Sequence, residues 1–370
     1  MKGGIKLFMW GMLPSSVDSF KIYKNFTDFL ESNFRIDDNR LNQIDINSLL
    51  NSIGTTTDPT ERQRLLEIQM KLIYFYNQAI QERMINGYQQ DDDFFRFYSE
   101  VEKQRKINVY KKGNIYVLSA KELDDKELLL SNQAEKLIKE YIPKFDTKLY
   151  IIPGIQDNNA SHAYRDGKSF LAGGVYKGKE LFTSGDDIFS HELGHFILEQ
   201  LNPKFRDSVS LEAKTIHESF ADTVAFLDSA KDKSNRGKLN LNNLYSENPV
   251  SVHGEIKGTN ERIIRRFYTT SDYNKLKKEL PEEHRLSVPI TESIYHVWAH
   301  LVENSIKQGK TKDEAVDYAT STIQTIIKKA AEKTDPNLNS YLNSIIQSAP
   351  NEELRKLFIQ EFSKRNLPFK

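Results

Sequence analysis

The chain has 370 residues, 38% of them hydrophobic, with 52 Lys plus Arg against 52 Asp plus Glu and no cysteine. At roughly 150 residues per domain this allows two or three globular domains, and the cancelled charge leaves no whole-chain footprint for nucleic acid or an anionic membrane. Without cysteine there are no disulfides, iron–sulfur clusters, thiolate zinc sites or cysteine nucleophiles, so any metal must be held by His, Asp and Glu.

The N-terminus, with Met1-Lys2, Lys6 and the apolar stretch Leu7 to Leu13, imitates a signal peptide but lacks a clean small-residue cleavage site. The reading leans towards an exported protein without a convincing signal sequence. No uncharged apolar run reaches the ~18 residues expected of a spanning helix, so no transmembrane segment is expected. Residues 15 to 105 carry helical periodicity, clearest where Leu65, Leu66, Ile68, Leu72, Ile73 and Tyr76 recur at i, i+3, i+4 spacings. An all-helical N-terminal region, 1–105, is therefore expected. Its Tyr74, Phe75, Phe94, Phe95 and Phe97 read as core, and Asp91, Asp92 and Asp93 as a helix start, because they lack the spaced oxygen ligands and Gly of a calcium loop.

From Ile107 the pattern alternates: strands at 107–110 and 114–118, a helix over Leu128–Tyr141 and a strand over 148–152. Asn158 to Tyr176 reads as two short strands about the turn signal Arg165-Asp-Gly-Lys, a hairpin or exposed edge. Asp187 to Leu201 predicts a helix with Ser184 and Asp187 as a capping pair and Asn202-Pro203 as its stop; a second helix is expected over 211–227. Lys231 to Asn248 has no apolar period and predicts a loop, and everything after Pro289 reads helical. These elements divide the chain into 1–105, an α+β region 106–230 and a mainly helical C-terminal region 231–370.

The chemistry concentrates in His191-Glu192-Leu193-Gly194-His195, an HExxH pattern inside the helix from Asp187. Residues four apart stack on one helical face, so both imidazoles reach one zinc ion while Glu192 is turned just enough to hold an attacking water. A catalytic zinc needs a third protein ligand and an open fourth position. The next helix offers His217-Glu218-Ser219-Phe220-Ala221-Asp222, and the 22 residues between His195 and Glu218 suffice for a helix, a turn and half of a second helix packed alongside. Glu218 is the third-ligand candidate; Asp222, one turn on, suits the other ring nitrogen of a zinc histidine. A carboxylate-bridged di-iron bundle would need two Glu-x-x-His motifs on different helices, and Glu192-x-x-His195 stands alone.

With HExxH followed by Glu218-x-x-x-Asp222, the chain resembles the gluzincin metallopeptidases, zinc proteases of thermolysin type. The resemblance spans roughly residues 110–305 and is most specific over 186–222. It implies a zincin fold, with a mixed sheet over the active-site helix and a helical C-terminal subdomain. It also implies zinc-dependent hydrolysis of a peptide or protein substrate, with Glu192 as general base. Asn158-Asn159-Ala160-Ser-His-Ala-Tyr and a bend at Gly173-Gly174 look like the family's edge strand, making Asn159 and Ala160 substrate-binding candidates. His284, in His284-Arg-Leu-Ser, is similar to the family histidine that donates a hydrogen bond to the oxyanion. Residues 196–217 contain no Tyr where the family often has one, and no Gly-x-Met-Glu-Asn sequence occurs, which favours an endopeptidase over the related aminopeptidases. The competing reading is a catalytically silent scaffold that acts through its helical ends.

Of the other histidines, His296 and His300 read as packed or capping residues near a helix end rather than a second metal site. His217 reads as core or as support for a ligand, His162 faces either cleft or solvent, and His253 has no assignment.

Overall fold

The computed structural model describes residues 108–119, 123–157, 160–165, 168–206, 208, 210–254, 265–279 and 281–369. Its contacts divide the chain between Asn108 and Val109 into two units, and all but one of the described residues lie in the second. The expected helical region 1–105 and its aromatic and Asp clusters lie outside the described residues.

The second unit mixes a six-stranded sheet with a helical layer. The strands are β1 (Asn108–Lys112), β2 (Ile115–Ser119), β3 (Lys148–Asp157), β4 (Ser161–Arg165), β5 (Lys168–Tyr176) and β6 (Lys179–Glu180), in the order β1-β2-β3-β5-β4 with β6 beside β5. β2 and β5 each run parallel to β3, whereas β4 returns antiparallel to β5 as the edge strand. Parallel neighbours need a crossover, and α1 (Asp125–Tyr141) supplies it between β2 and β3. Asp124 and Glu127 start that helix reciprocally, each carboxylate accepting from the other residue's backbone N–H.

Side chains alternate across the sheet as the pleat requires. Ile115, Val117, Leu149, Ile151 and Leu171 are buried on one face. On the other, Tyr116, Tyr150 and Phe170 stand in register on adjacent strands and stack, with ring centroids 4.8 and 5.6 Å apart.

The helices that follow are α2 (Leu181–Ser184), α3 (Asp186–Leu201), α4 (Leu211–Lys231), α5 (Lys233–Lys238), α6 (Tyr273–Glu279), α7 (Glu283–Lys307), α8 (Lys312–Lys333), α9 (Leu338–Ser348) and α10 (Glu352–Lys364). A 3-10 turn, Pro203–Phe205, separates α3 from α4, and the two-residue strands β7 (Val252–His253) and β8 (Arg265–Arg266) pair antiparallel. Asn202 ends α3 and opens the turn, its carboxamide accepting from the Lys204 N–H while its amide donates to the Ala331 and Thr334 carbonyls. The stop expected at Asn202-Pro203 is thus also a tie to α8. Among the described residues no helix is long and apolar enough to cross a membrane.

Several expectations are corrected. Ser184 does not cap α3: it ends the short α2, Gly185 is the N-cap and no side chain caps it, because Asp187 is drawn to the Gly254 N–H and to His253. No bend interrupts β5 at Gly173-Gly174; the strand continues, and a Cβ on Gly173 would sit 2.7 Å from the Phe182 ring, so this glycine admits an aromatic side chain instead of a turn. The 231–248 loop contains α5, whose N-terminus the Asp232 carboxylate caps at Asn235 N–H. The last helical region begins at Glu283, six residues before Pro289, since Glu282 caps it and Leu286, Ile290 and Ile294 bury a common stripe that carries the helix through the proline. α4 extends to Lys231, four residues beyond its expected end.

Candidate metal centre

α3 and α4 approach so closely that a Cβ on Gly194 would lie 2.6 Å from Ala221 Cα, and this crossing brings the two motifs together. The glycine inside HExxH therefore has a packing role: it lets the backbone bearing His191 and His195 come against the backbone bearing Glu218. All three side chains are buried. His191 Nε2 and His195 Nε2 are 3.2 Å apart, and each lies 3.5 Å from a different oxygen of Glu218.

This triangle can be tested against a zinc ion. For metal–ligand bonds of about 2.0–2.1 Å, the edges of a tetrahedron are ~3.3–3.4 Å, close to all three separations. Two imidazole nitrogens and a carboxylate that turns one oxygen to each of them are donors that suit zinc, three protein ligands being the number of a catalytic site. The residues fit the ion.

The surrounding charges hold the triangle in place. Asp222 lies 2.9 Å from His191 Nδ1, which leaves Nε2 facing the other donors. Arg265, on β8, donates to Asp222 through one guanidinium nitrogen and to Glu218 Oε2 at 3.0 Å through the other. Burial opposes ionisation of both carboxylates, but Arg265 and the histidines outweigh it and hold them below the usual carboxylate range. His191, also opposed by burial, is raised to about 10 by Asp222 and Glu218. His195 is pushed well below its ordinary value by burial.

His253, which no sequence motif assigns, belongs to this surround. Its ring lies 4.8 Å from that of His191, with Nδ1 3.4 Å from the Asp187 carboxylate. His191, Asp222 and His253 bring donor atoms close enough for a second metal set. Arg265 already occupies Asp222, however, and His191 Nδ1 faces that same carboxylate, so the group reads as support for the first set rather than as another ion site. No motif spacing points to Arg265, which contacts Asp222 from 43 residues away.

Glu192 is buried next to the donors, and burial raises its carboxyl to about 7 even though His191 draws it down. His284, in the first turn of α7, is half-exposed, with Nε2 3.5 Å from Glu218 Oε1 and Nδ1 bonded to Glu282. His217 is held by the Phe205 carbonyl at 3.3 Å, with its ring 5.6 Å from His195, a supporting place in the core. His162 faces inward: its side chain is 5% exposed, its ring stacks 6.0 Å from His195 and its Nε2 lies 3.7 Å from Glu199. His296 and His300 sit well inside α7 rather than near its end, so they pack and do not cap. His296 packs 3.3 Å from Glu361 and His300 bonds Asn304. Of the proposed edge residues, Asn159 lies outside the described residues and Ala160 is half-buried against the core.

No protein-family model matches the chain. No curated protein matches it either.

Proposed function

We propose that the chain is a zinc-dependent endopeptidase of gluzincin type, its sheet, α3 and helical layer forming a zincin fold. The observation that supports this most is the donor triangle of His191, His195 and Glu218, with the buried carboxyl of Glu192 one residue from a ligand. His191, His195 and Glu218 would hold a zinc ion, which would supply Lewis acidity for a substrate carbonyl and a water. Glu192 takes the proton of the attacking water, and its carboxyl, already raised towards neutrality, returns that proton to the leaving amine. His284, the one half-exposed imidazole beside Glu218, donates to the oxyanion. Arg265 and Asp222 keep Glu218 and His191 aimed. β4, at the end of the sheet order, offers its outer edge to an extended peptide, which main-chain hydrogen bonds hold beside α3.

Glu192→Gln tests this reading. The amide keeps the shape of the side chain and all three metal ligands, so zinc content and melting temperature should match wild type. Peptide hydrolysis should fall at least a hundredfold, within the ~10²–10⁴ range for loss of a general base. Equal hydrolysis by variant and wild type overturns the assignment of Glu192. A wild type that binds zinc but cleaves nothing in a broad peptide library overturns the peptidase reading and leaves the silent scaffold.

A further inference from the structure

Beside the proposed peptide edge lies a guanidinium with no carboxylate partner among the described residues. Arg206, directly after the 3-10 turn, sits over the ring of Tyr164 on β4 with its Cζ 4.6 Å from the centroid, and Nη1 donates to the Tyr164 hydroxyl at 3.4 Å. Its Nε is buried without a hydrogen-bond partner, and no carboxylate among the described residues pairs with it. The two buried arginines among the described residues behave differently: Arg265 holds Glu218 and Asp222, and Arg365 holds Glu292 and Glu361. A half-buried guanidinium with an unsatisfied N–H and no carboxylate partner among the described residues can take an anion, and its planar fork matches a carboxylate.

Two independent contacts place Arg206 on the His195 side of the metal centre. Tyr164 is two residues after His162 on the same strand, so both side chains share a face ~7 Å apart, and the His162 ring stacks on His195. Phe205, the neighbour of Arg206, packs on His217 at 5.5 Å between centroids, and His217 in turn lies 5.6 Å from His195. A peptide laid along β4 presents alternate side chains to one side, so one about two residues from the scissile bond comes level with Tyr164 and Arg206. Stacking on Tyr164 orients the guanidinium plane.

We propose that Arg206, held on Tyr164, is a carboxylate-binding subsite that selects peptides with a carboxylate about two residues from the cleaved bond. This rests on the peptidase reading above. The test compares amidated peptides carrying Glu or Gln at each of the three positions on either side of the cleaved bond, with neutral peptides ending in a free carboxylate as a second arm. Wild type should prefer Glu at one position by about tenfold or more in kcat/KM, mostly through KM, as expected for a charge-assisted pair. A preference confined to the second arm would instead assign the subsite to the chain terminus, which is still carboxylate capture. In Arg206→Ala the ratio should fall close to one, and in Arg206→Glu it should turn towards Lys. The Kd of the same peptides for zinc-loaded Glu192→Gln, which does not cleave them, should show the same ratio, and Arg206→Ala in that background should abolish it. Hydrolysis with no acidic preference, or a preference unchanged in Arg206→Ala, overturns the subsite while leaving the peptidase reading intact. Absence of hydrolysis overturns the peptidase reading, and the subsite then stands or falls on the Kd ratio alone: a ratio of one, or no binding, overturns it.

Discussion

Asp222 does two things at once: it faces His191 Nδ1 and it receives Arg265. The amide of Asp222→Asn keeps the volume but removes the charge that both neighbours answer. His191 then loses the partner that fixes its ring, and Arg265 retains only Glu218, pulling harder on a ligand. Zinc affinity or peptide hydrolysis should weaken by roughly 10- to 100-fold, the scale usual for lost outer partners of metal ligands, with the fold retained. Competition with a chelator of known affinity measures the first and peptide turnover the second; unchanged values for both would show that Asp222 only fills space. The roles of His191, His195, Glu218 and Asp222 are legible in the sequence because helical spacing fixes them: two donors four apart on one face, then a carboxylate pair four apart on the next helix. Arg265 and His253 are not legible, because each reaches the site from a short strand far along the chain, where no periodic rule operates, and Asp187 reads in sequence only as a helix start although it turns to His253. Arg206 escapes sequence reading for a related reason: an arginine after a turn is ordinary, and only the ring of Tyr164 and the lack of a carboxylate partner among the described residues give it meaning.

At the scale of elements, the crossing of α3 and α4 decides whether the site forms. Helix propensity alone says that Gly194→Ala should stabilise α3 by about 1 kcal/mol. The added methyl, however, would meet Ala221 Cα at 2.6 Å, and that contact is backbone, which cannot swing aside like the end of a side chain. Overpacking of this kind costs typically ~1–3 kcal/mol, so packing outweighs propensity. The variant should melt below wild type and bind zinc more weakly, since parting the helices draws Glu218 away from both histidines. Thermal unfolding with and without zinc measures both effects, and a variant at least as stable as wild type in both states would mean that the helices have room to spare. The same contact shows what a sequence hides. Gly194 inside HExxH and Gly173 in β5 both invite a reading as flexible joints, yet each is a place where a neighbour presses in. Which of these a glycine serves depends on the partner across the interface, which neighbouring residues do not encode. Strands and helices with a clear period, such as β2, α1 and α4, are by contrast readable to within a few residues, because burial on one face is a local pattern.

Across the second unit, the chain's end is fastened to its middle by buried charge. Arg365, fully buried, bonds Glu292 of α7 and Glu361 of α10, and donates to the Thr269 carbonyl in the segment after β8. Glu292 also accepts from Thr269 and from the Ser271 N–H, so α7, α10 and the segment that follows Arg265 share one network. Such a network adds stability only while its carboxylates are ionised, because a lone buried guanidinium is costly. Burial opposes the charge of Glu361, but His296, Lys364 and Arg365 outweigh it and lower the carboxyl from 4.5 to about 2. The sign follows from linkage: a depressed folded pKa contributes stability that is fully present above the unfolded value and is lost as pH falls through the folded one. Glu361→Gln, which cannot ionise, should therefore be less stable than wild type at pH 7. The gap should hold down to about pH 5, narrow between 4.5 and about 2, and close below that. Urea unfolding of both proteins at a series of pH values reads the gap directly, and effects common to both, including loss of metal in acid, cancel in the difference. A gap that stays constant from pH 5 to the most acidic point would show that the Glu361 charge does not hold α10, and that Arg365 is balanced by Glu292 alone.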